Sequence, residues 1–385
     1  MIGGASALGI GVLMVLPAAL PASAAPAPIR TIPAAHTLHD VTVHPRITPA
    51  QARASARAGT TVPEYTASVK VGTKNFTYTI VGKNPAIKTA NPSTTVNAVV
   101  VPVIMKFSDG TNWNPTKVDS CDPGASALTR TQKSPIFVSQ SWKFGSTSVG
   151  TGQATDAFQR AEFWKFAKPS GINPGFHVKL SLKTLKAITI NVPNAQAMAL
   201  SPGINCGNGL VGATNIGWLD NHLRNVVIPS LASQGVGTTT FPIFLLHNFA
   251  MLSGGQCCVG GFHSALNVST GVQTYGVAMY DNSGLFSGTS NTSLLSHEVA
   301  EWQNDPSGAN PTPSWGNIGQ VMGCQGNLEV GDPLSGTTFN DTLNGFTYHL
   351  QELAFFSWFY PQNPSIGVNG WYSDKGTFRT FAAPC

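Results

Sequence analysis

Apolar and polar positions alternate through much of the first half of the chain and recur at helical spacing in only a few places. Residues 67–71 and 76–81 alternate around a Gly72-Thr73-Lys74-Asn75 turn, which predicts a strand pair, and the β-branched run 96–107 predicts a buried strand. Residues 152–166 bring Ala154, Ala157, Phe158, Ala161 and Trp164 round at roughly helical spacing and predict a helix. Asp156 and Arg160, four apart on it, are expected to form an ion pair. Strands are predicted at 177–182 and 187–192. A helix at 216–231 follows, with Trp218, Leu223, Val226, Val227 and Leu231 expected to back a sheet. Three more strand-like segments, 240–251, 262–268 and 273–280, lead through Asp281-Asn282-Ser283-Gly284 into a helix over 294–303.

That last helix carries the chemistry. Leu294, Leu295, Val299 and Trp302 form an apolar stripe that packs one side into a core. A Ser/Thr/Asn run at 287–293 offers N-caps, and Asn304-Asp305-Pro306 stops the helix. His297 and Glu301 are four apart and share a face, with Glu298 about 100° round the axis. Beyond it lie a Gly/Pro/Asn/Ser-rich stretch read as a loop (307–319) and the segment Glu329-Val330-Gly331-Asp332-Pro333. A short strand through Tyr348 or His349 and a helix over 351–358 complete the region.

His297-Glu298-Val299-Ala300-Glu301 reads H-E-x-x-E. It resembles the H-E-x-x-H of the zincin metallopeptidases, in which the two ends of the motif bind zinc and the inner Glu is a general base. The likeness rests on His297 and Glu298 and departs at Glu301, a carboxylate where the family has its second His. There is a looser likeness to secreted bacterial proteins with H-E-x-x-E before an Asp-Pro stop. The zincin resemblance implies an α+β protein, with a β-rich N-terminal half and a zincin-like half whose metal-site helix packs on a short mixed sheet. It implies a zinc peptidase with Glu298 as catalytic base and His297 and Glu301 as ligands. A third ligand is then needed from outside the helix. Glu329 is the first choice, Asp332 and His349 the alternatives, and Asp305 a candidate to orient a ligand. His263, Tyr348 and His349 are candidate donors to an oxyanion, and 262–268 or 273–280 is the candidate edge for an extended protein or peptide substrate. Two carboxylates and one imidazole make a hard site, so another divalent cation fits alongside Zn²⁺.

Each of these residues also has a plain reading. His297 and Glu301 could be an i,i+4 pair on a solvated helix, Asp332 and Asp305 turn residues before proline, and His247, His263 and His349 core histidines. Composition weighs against a solvated helix. Only 10% of the chain is charged, yet seven of its seventeen acids lie between Glu298 and Glu352. Paired acids for glycan hydrolysis lack an aromatic platform. The main alternative is a non-catalytic secreted or cell-surface binding protein that retains a degenerate metal site.

The net charge of +5 comes from scarce acids and not from basic runs, so nucleic acid is excluded as a partner. Residues 1–24, with an apolar run ending in Ala22-Ser23-Ala24, read as a secretory signal without the usual basic start. Residues 25–63 read as a linker or pro-segment containing a basic helical stretch (49–58), 64–210 as a β-rich region and 211–385 as the zincin-like region. A secreted mature chain without stable membrane association follows. Six cysteines in such a chain favour disulfides. Adjacent Cys257 and Cys258 are expected to take different partners, and Cys324 or one of that pair to hold Cys385.

Overall fold

The fold is mixed α/β, built on a sheet that is apolar on both faces. The computed structural model describes residues 28–31 (backbone alone for 29–31), 47–201 and 209–385. The expected signal sequence, much of the expected linker and Cys206 lie outside the described residues. Ahead of the sheet, helix α1 (Pro49–Ala58) begins with a reciprocal cap between Thr48 and Gln51 and ends at Gly59 in the left-handed conformation.

The five longest strands of the seven-stranded central sheet are β1 (Ser93–Lys106), β2 (His177–Thr184), β3 (Thr240–His247), β4 (Gly261–Val268) and β5 (Gly271–Tyr280). Their order is β4–β5–β3–β1–β2. The last four run parallel and β4 lies antiparallel at one edge. Parallel strands need cover on both faces, and β1 supplies apolar side chains to each. Val96, Ala98 and Val100 join one core, whereas Val99, Val101 and Val103 join the other. The second core is shared with the helical stretch 216–230, which widens into a π turn at Leu223–Val227 ahead of Pro229. The first core holds α2 (Ala154–Glu162) and α3 (Ser293–Asn304). Strands from either side of residue 210 thus belong to one sheet, so the boundary drawn there does not separate two layers.

Several expectations change. The segment 240–251 is two strands in two sheets, divided at Asn248, whose φ of 47° turns the chain from β3 into Phe249–Ser253. The stretch read as a loop at 307–319 contains the strand Pro311–Ile318, hairpinned to Val321–Asn327. The helix expected over 351–358 is confined to Phe356–Phe359, because Phe346–Gln351 continues as strand. Asp156 and Arg160 do not pair. Asp156 accepts from the backbone of Val178 at 2.7 Å and lies 2.8 Å from His177 Nδ1, while Arg160 donates to the carbonyls of Val149, Pro174, Phe176 and Ala167. Both are buried, so each satisfies backbone groups that water cannot reach. Cys324 holds Cys385, with Cα atoms 5.7 Å apart. Cys257 and Cys258 are bonded to each other rather than to different partners, Cys324 and Cys385 having taken one another. No helix among the described residues is long and apolar enough to cross a membrane.

The chain's C-terminal part is tied to the end of Phe346–Gln351 by buried acids. Glu352 accepts from Ser373 Oγ and from Thr377, and Asp374 accepts from the Leu353 amide at 3.0 Å. Burial, then the neighbouring Glu352, push the Asp374 carboxyl up to about 7 from 3.8. A folded-state value above the unfolded one favours the protonated acid on folding. Its stabilisation is therefore complete below pH 3.8 and is lost as pH rises through 7. Asp374→Asn keeps the acceptor and removes the titration. Relative to the variant, the wild type should lose up to about 4 kcal/mol of unfolding free energy across this range. Urea titrations at several pH values measure this, and parallel curves for the two proteins would refute it.

Candidate metal centre

Every residue of α3 is buried, so the helix has no solvated side. Its apolar stripe packs as expected: Leu295, Val299 and Trp302 join the first core, and Trp302 stacks on Phe241 at 3.7 Å between ring centroids. The polar face of the helix is turned into a second buried contact, against β4 and the segment 329–332. Along β4, Phe262 faces the second core, whereas His263 faces the α3 carboxylates. The hairpin ending at Asn327 returns the chain so that Glu329 and Asp332 reach the same place.

Hydrogen bonds fix both imidazoles. Gln351 donates its amide to the Gly331 carbonyl at 2.6 Å, which turns its Oε1 to His297 Nδ1 at 3.0 Å. That nitrogen therefore carries the hydrogen, and Nε2 faces Glu301 Oε2 at 3.0 Å and Asp332 Oδ1 at 3.5 Å. His263 Nε2 lies 2.9 Å from the Asp305 carbonyl and donates to it. This leaves Nδ1 facing Glu298 Oε2 at 3.5 Å and Glu301 Oε2 at 3.6 Å. Two imidazole lone pairs thus point at carboxylate oxygens, an arrangement that only a cation can satisfy: a proton on each ring, or a metal ion.

Glu301 sits between the rings. Its Oε1 accepts from the amides of Gly331 at 2.9 Å and Asp332 at 3.3 Å, which leaves Oε2 for the cation. Burial pushes its carboxyl up, but His297, its hydrogen bond and His263 outweigh this and hold it below its ordinary value. For His297 burial works downwards and is outweighed by Glu301 and Asp332, so the imidazolium persists well above its usual range. His263 is likewise raised, burial being outweighed by Glu298 and Glu301. Burial raises Glu298, and burial with the charge of Glu301 takes Glu329 well above the usual carboxylate range and Asp332 to about 7. Burial also lifts Asp305 to about 6. Without a metal, protons hold the cluster together, and a bound metal would displace them.

The other expected residues sort as follows. Glu329 takes a hydrogen bond from Asn327 at 2.7 Å on Oε1, while its Oε2 is buried without a hydrogen-bond partner, as is Oε2 of Glu298. Asp332 accepts from Gln320 and Gln325. Asp305 caps the amides of Ala309 and Asn310, both at 2.8 Å, so its carboxylate is a turn group and its carbonyl is what orients His263. His349 pairs with Asn291 at 3.0 Å near the start of α3, and Tyr348 lies beside Phe346; neither is brought to the cluster. His263, read as a core or oxyanion histidine, is instead one of the two imidazoles facing the carboxylates. Two groups of three have ligand atoms within 4.8 Å of one another: His297, Glu298 and Glu301, and His263, Glu301 and Glu329. Donors around one zinc ion lie about 3.3 Å apart when each is bound at about 2.1 Å. The 3.0 Å from Glu301 Oε2 to His297 Nε2 and the 3.6 Å from it to His263 Nδ1 are each a donor pair of this spacing.

No family model matches the chain, and no characterised protein or solved structure resembles it significantly.

Two glycines make room for these side chains. A Cβ on Gly331 would lie 2.4 Å from His297 Nδ1, and one on Gly261 would lie 2.7 Å from Glu298 Oε1. Gly331 has φ −87°, which any residue adopts, so space and not backbone freedom calls for glycine there. Gly331→Ala should push the His297 ring off Gln351 and weaken zinc binding at least 10-fold in a calorimetric titration. The far-UV spectrum should stay unchanged; unaltered affinity would contradict the packing described.

Proposed function

We propose that the protein is a secreted metal-dependent hydrolase that cleaves peptide bonds. The observation that carries the proposal is the set around α3: His297 Nε2 and Glu301 Oε2 are 3.0 Å apart, and the unpartnered Oε2 of buried Glu298 lies beside them. This is the relation the zincin resemblance calls for, with the carboxylate of Glu301 in the place of a second imidazole. Asp332 lies 3.5 Å from His297 Nε2, and Glu329, whose Oε2 lies 3.8 Å from His263 Nε2, is the candidate third carboxylate that groups with Glu301 within 4.8 Å.

A divalent ion held there supplies a water of lowered pKa and polarises the scissile carbonyl. The chain's own residues do the rest. Burial raises the proton affinity of Glu298, which suits a group that takes a proton from water and hands it to the departing amine. His263 Nδ1 faces that carboxylate, 3.5 Å from Glu298 Oε2. Gln351 keeps His297 in the tautomer that offers Nε2. Strand β4 ends the central sheet, and it is there that an extended peptide would add as a further strand next to His263. Export accords with the signal-like residues 1–24 and with the Cys324–Cys385 disulfide.

One observation favours a second reading. His263, His297, Glu298, Glu301, Glu329 and Asp332 are all buried, and closed metal sites are structural, whereas catalytic ones keep a position open to water. A secreted binding protein with a structural metal would look the same around Glu301, but it has no need of a base at Glu298. Glu298→Gln should reduce peptide hydrolysis at least 10³-fold while leaving metal content and melting temperature as in the wild type. Undiminished cleavage of a peptide library by that variant would end the catalytic reading, as would a wild type that binds metal and cleaves nothing.

A further inference from the structure

Glu301 belongs to both groups of potential ligands, yet no group within 4.8 Å among the described residues contains both His263 and His297. Two nitrogens bound to one zinc ion at about 2.1 Å can be no more than about 4.2 Å apart. One ion therefore cannot be shared by the two rings as they stand. Each ring, with its own carboxylate, faces the same Glu301 Oε2 from a different side, at 3.0 Å for His297 and 3.6 Å for His263.

We infer that the centre takes two divalent cations bridged by Glu301: one at His297 and Glu301, the other at His263, Glu301 and Glu329. The inference rests on the proposal above that the first of these positions binds a metal. Three observations carry it further. The second group holds a buried oxygen, Glu329 Oε2, that no hydrogen bond satisfies, although Oε1 of the same side chain is held by Asn327 at 2.7 Å. A native fold seldom leaves a carboxylate oxygen so, and it lies at the edge of the His263 ring, 3.8 Å from Nε2, in the group that also contains Glu301. Next is charge. Glu298, Glu301, Asp305, Glu329 and Asp332 bring five buried carboxyl groups to one place, with two imidazoles and, among the described residues, no Lys or Arg in contact with them. One divalent ion balances two of the five, and two ions balance four. Finally, Glu301 is anchored for a bridge. Its Oε1 is fixed by the amides of Gly331 and Asp332, so Oε2 is presented between the two positions without freedom to choose one. Paired ions about 3.5–4 Å apart are a recurrent hydrolytic arrangement, in which one steadies the attacking oxygen and the other the leaving group.

The test is metal stoichiometry, with Zn²⁺ and Mn²⁺ as the probes. Wild-type protein dialysed against Zn²⁺ and freed of excess should contain two ions per chain by elemental analysis. Glu329→Gln should contain one, His297→Ala one, and Glu301→Gln none, each checked for folding by circular dichroism. Loading the wild type with Mn²⁺ supplies a readout that needs no variant: bridged ions give an exchange-coupled resonance spectrum, isolated ions a six-line one. One ion per chain, unaffected by Glu329→Gln, would overturn the bridged pair and leave the hydrolase proposal standing. Two ions with uncoupled spectra would overturn the bridge. No bound metal at all would overturn both this inference and the proposal it rests on.

Discussion

A carboxylate buried between two imidazoles is the constraint that organises this molecule. Removing one charged group from water costs several kcal/mol even after a protein relaxes around it, and here Glu301 is one of five acids brought together out of solvent. The surrounding structure answers that cost at each atom. Backbone amides from residues 331 and 332 satisfy one oxygen of Glu301, and the two rings face the other. Gln351 and the Asp305 carbonyl decide which edge of each ring is presented. Glycines stand where a side chain would collide with His297 or Glu298.

The central sheet makes this possible at a distance. β1 and β3 are apolar on both faces and bury α3 against one of them, which removes the helix from solvent altogether. Antiparallel β4, at the sheet edge, is the element that can face both the helix and the returning 329–332 segment. A helix packed by Leu295, Val299 and Trp302 cannot rotate without unstacking Trp302 from Phe241, so the register of His297 and Glu301 is fixed by packing rather than by the charges themselves. Charges then need only be satisfied, which is a task for a cation.

What was legible in the sequence was local. The i,i+4 spacing of His297 and Glu301, the stripe beside them and the Asp305-Pro306 stop define α3 to within a residue at either end. Alternation likewise found the hairpin of Glu64–Val71 and Lys74–Val81. What was hidden depends on long-range contact. His263 lies on a strand whose period-two pattern is shared by any half-buried strand, and only pairing with β5 turns it to the helix. Asp156 and Arg160 have the spacing of a surface pair, but burial of α2 hands each of them to backbone groups of other segments. Gly, Pro and Asn between 307 and 319 read as loop because composition does not report a hairpin partner. The break at Asn248 is carried by one positive φ within an otherwise apolar run.

The central claim is that a metal ion, rather than protons alone, completes the surroundings of Glu301. Diffraction from crystals of the protein purified without chelators, measured on both sides of the zinc absorption edge, tests it most directly. The account predicts an anomalous peak within about 2.2 Å of Glu301 Oε2 and His297 Nε2. A centre without any peak, with His297 and Glu301 in direct hydrogen-bonded contact after zinc has been supplied, would contradict it.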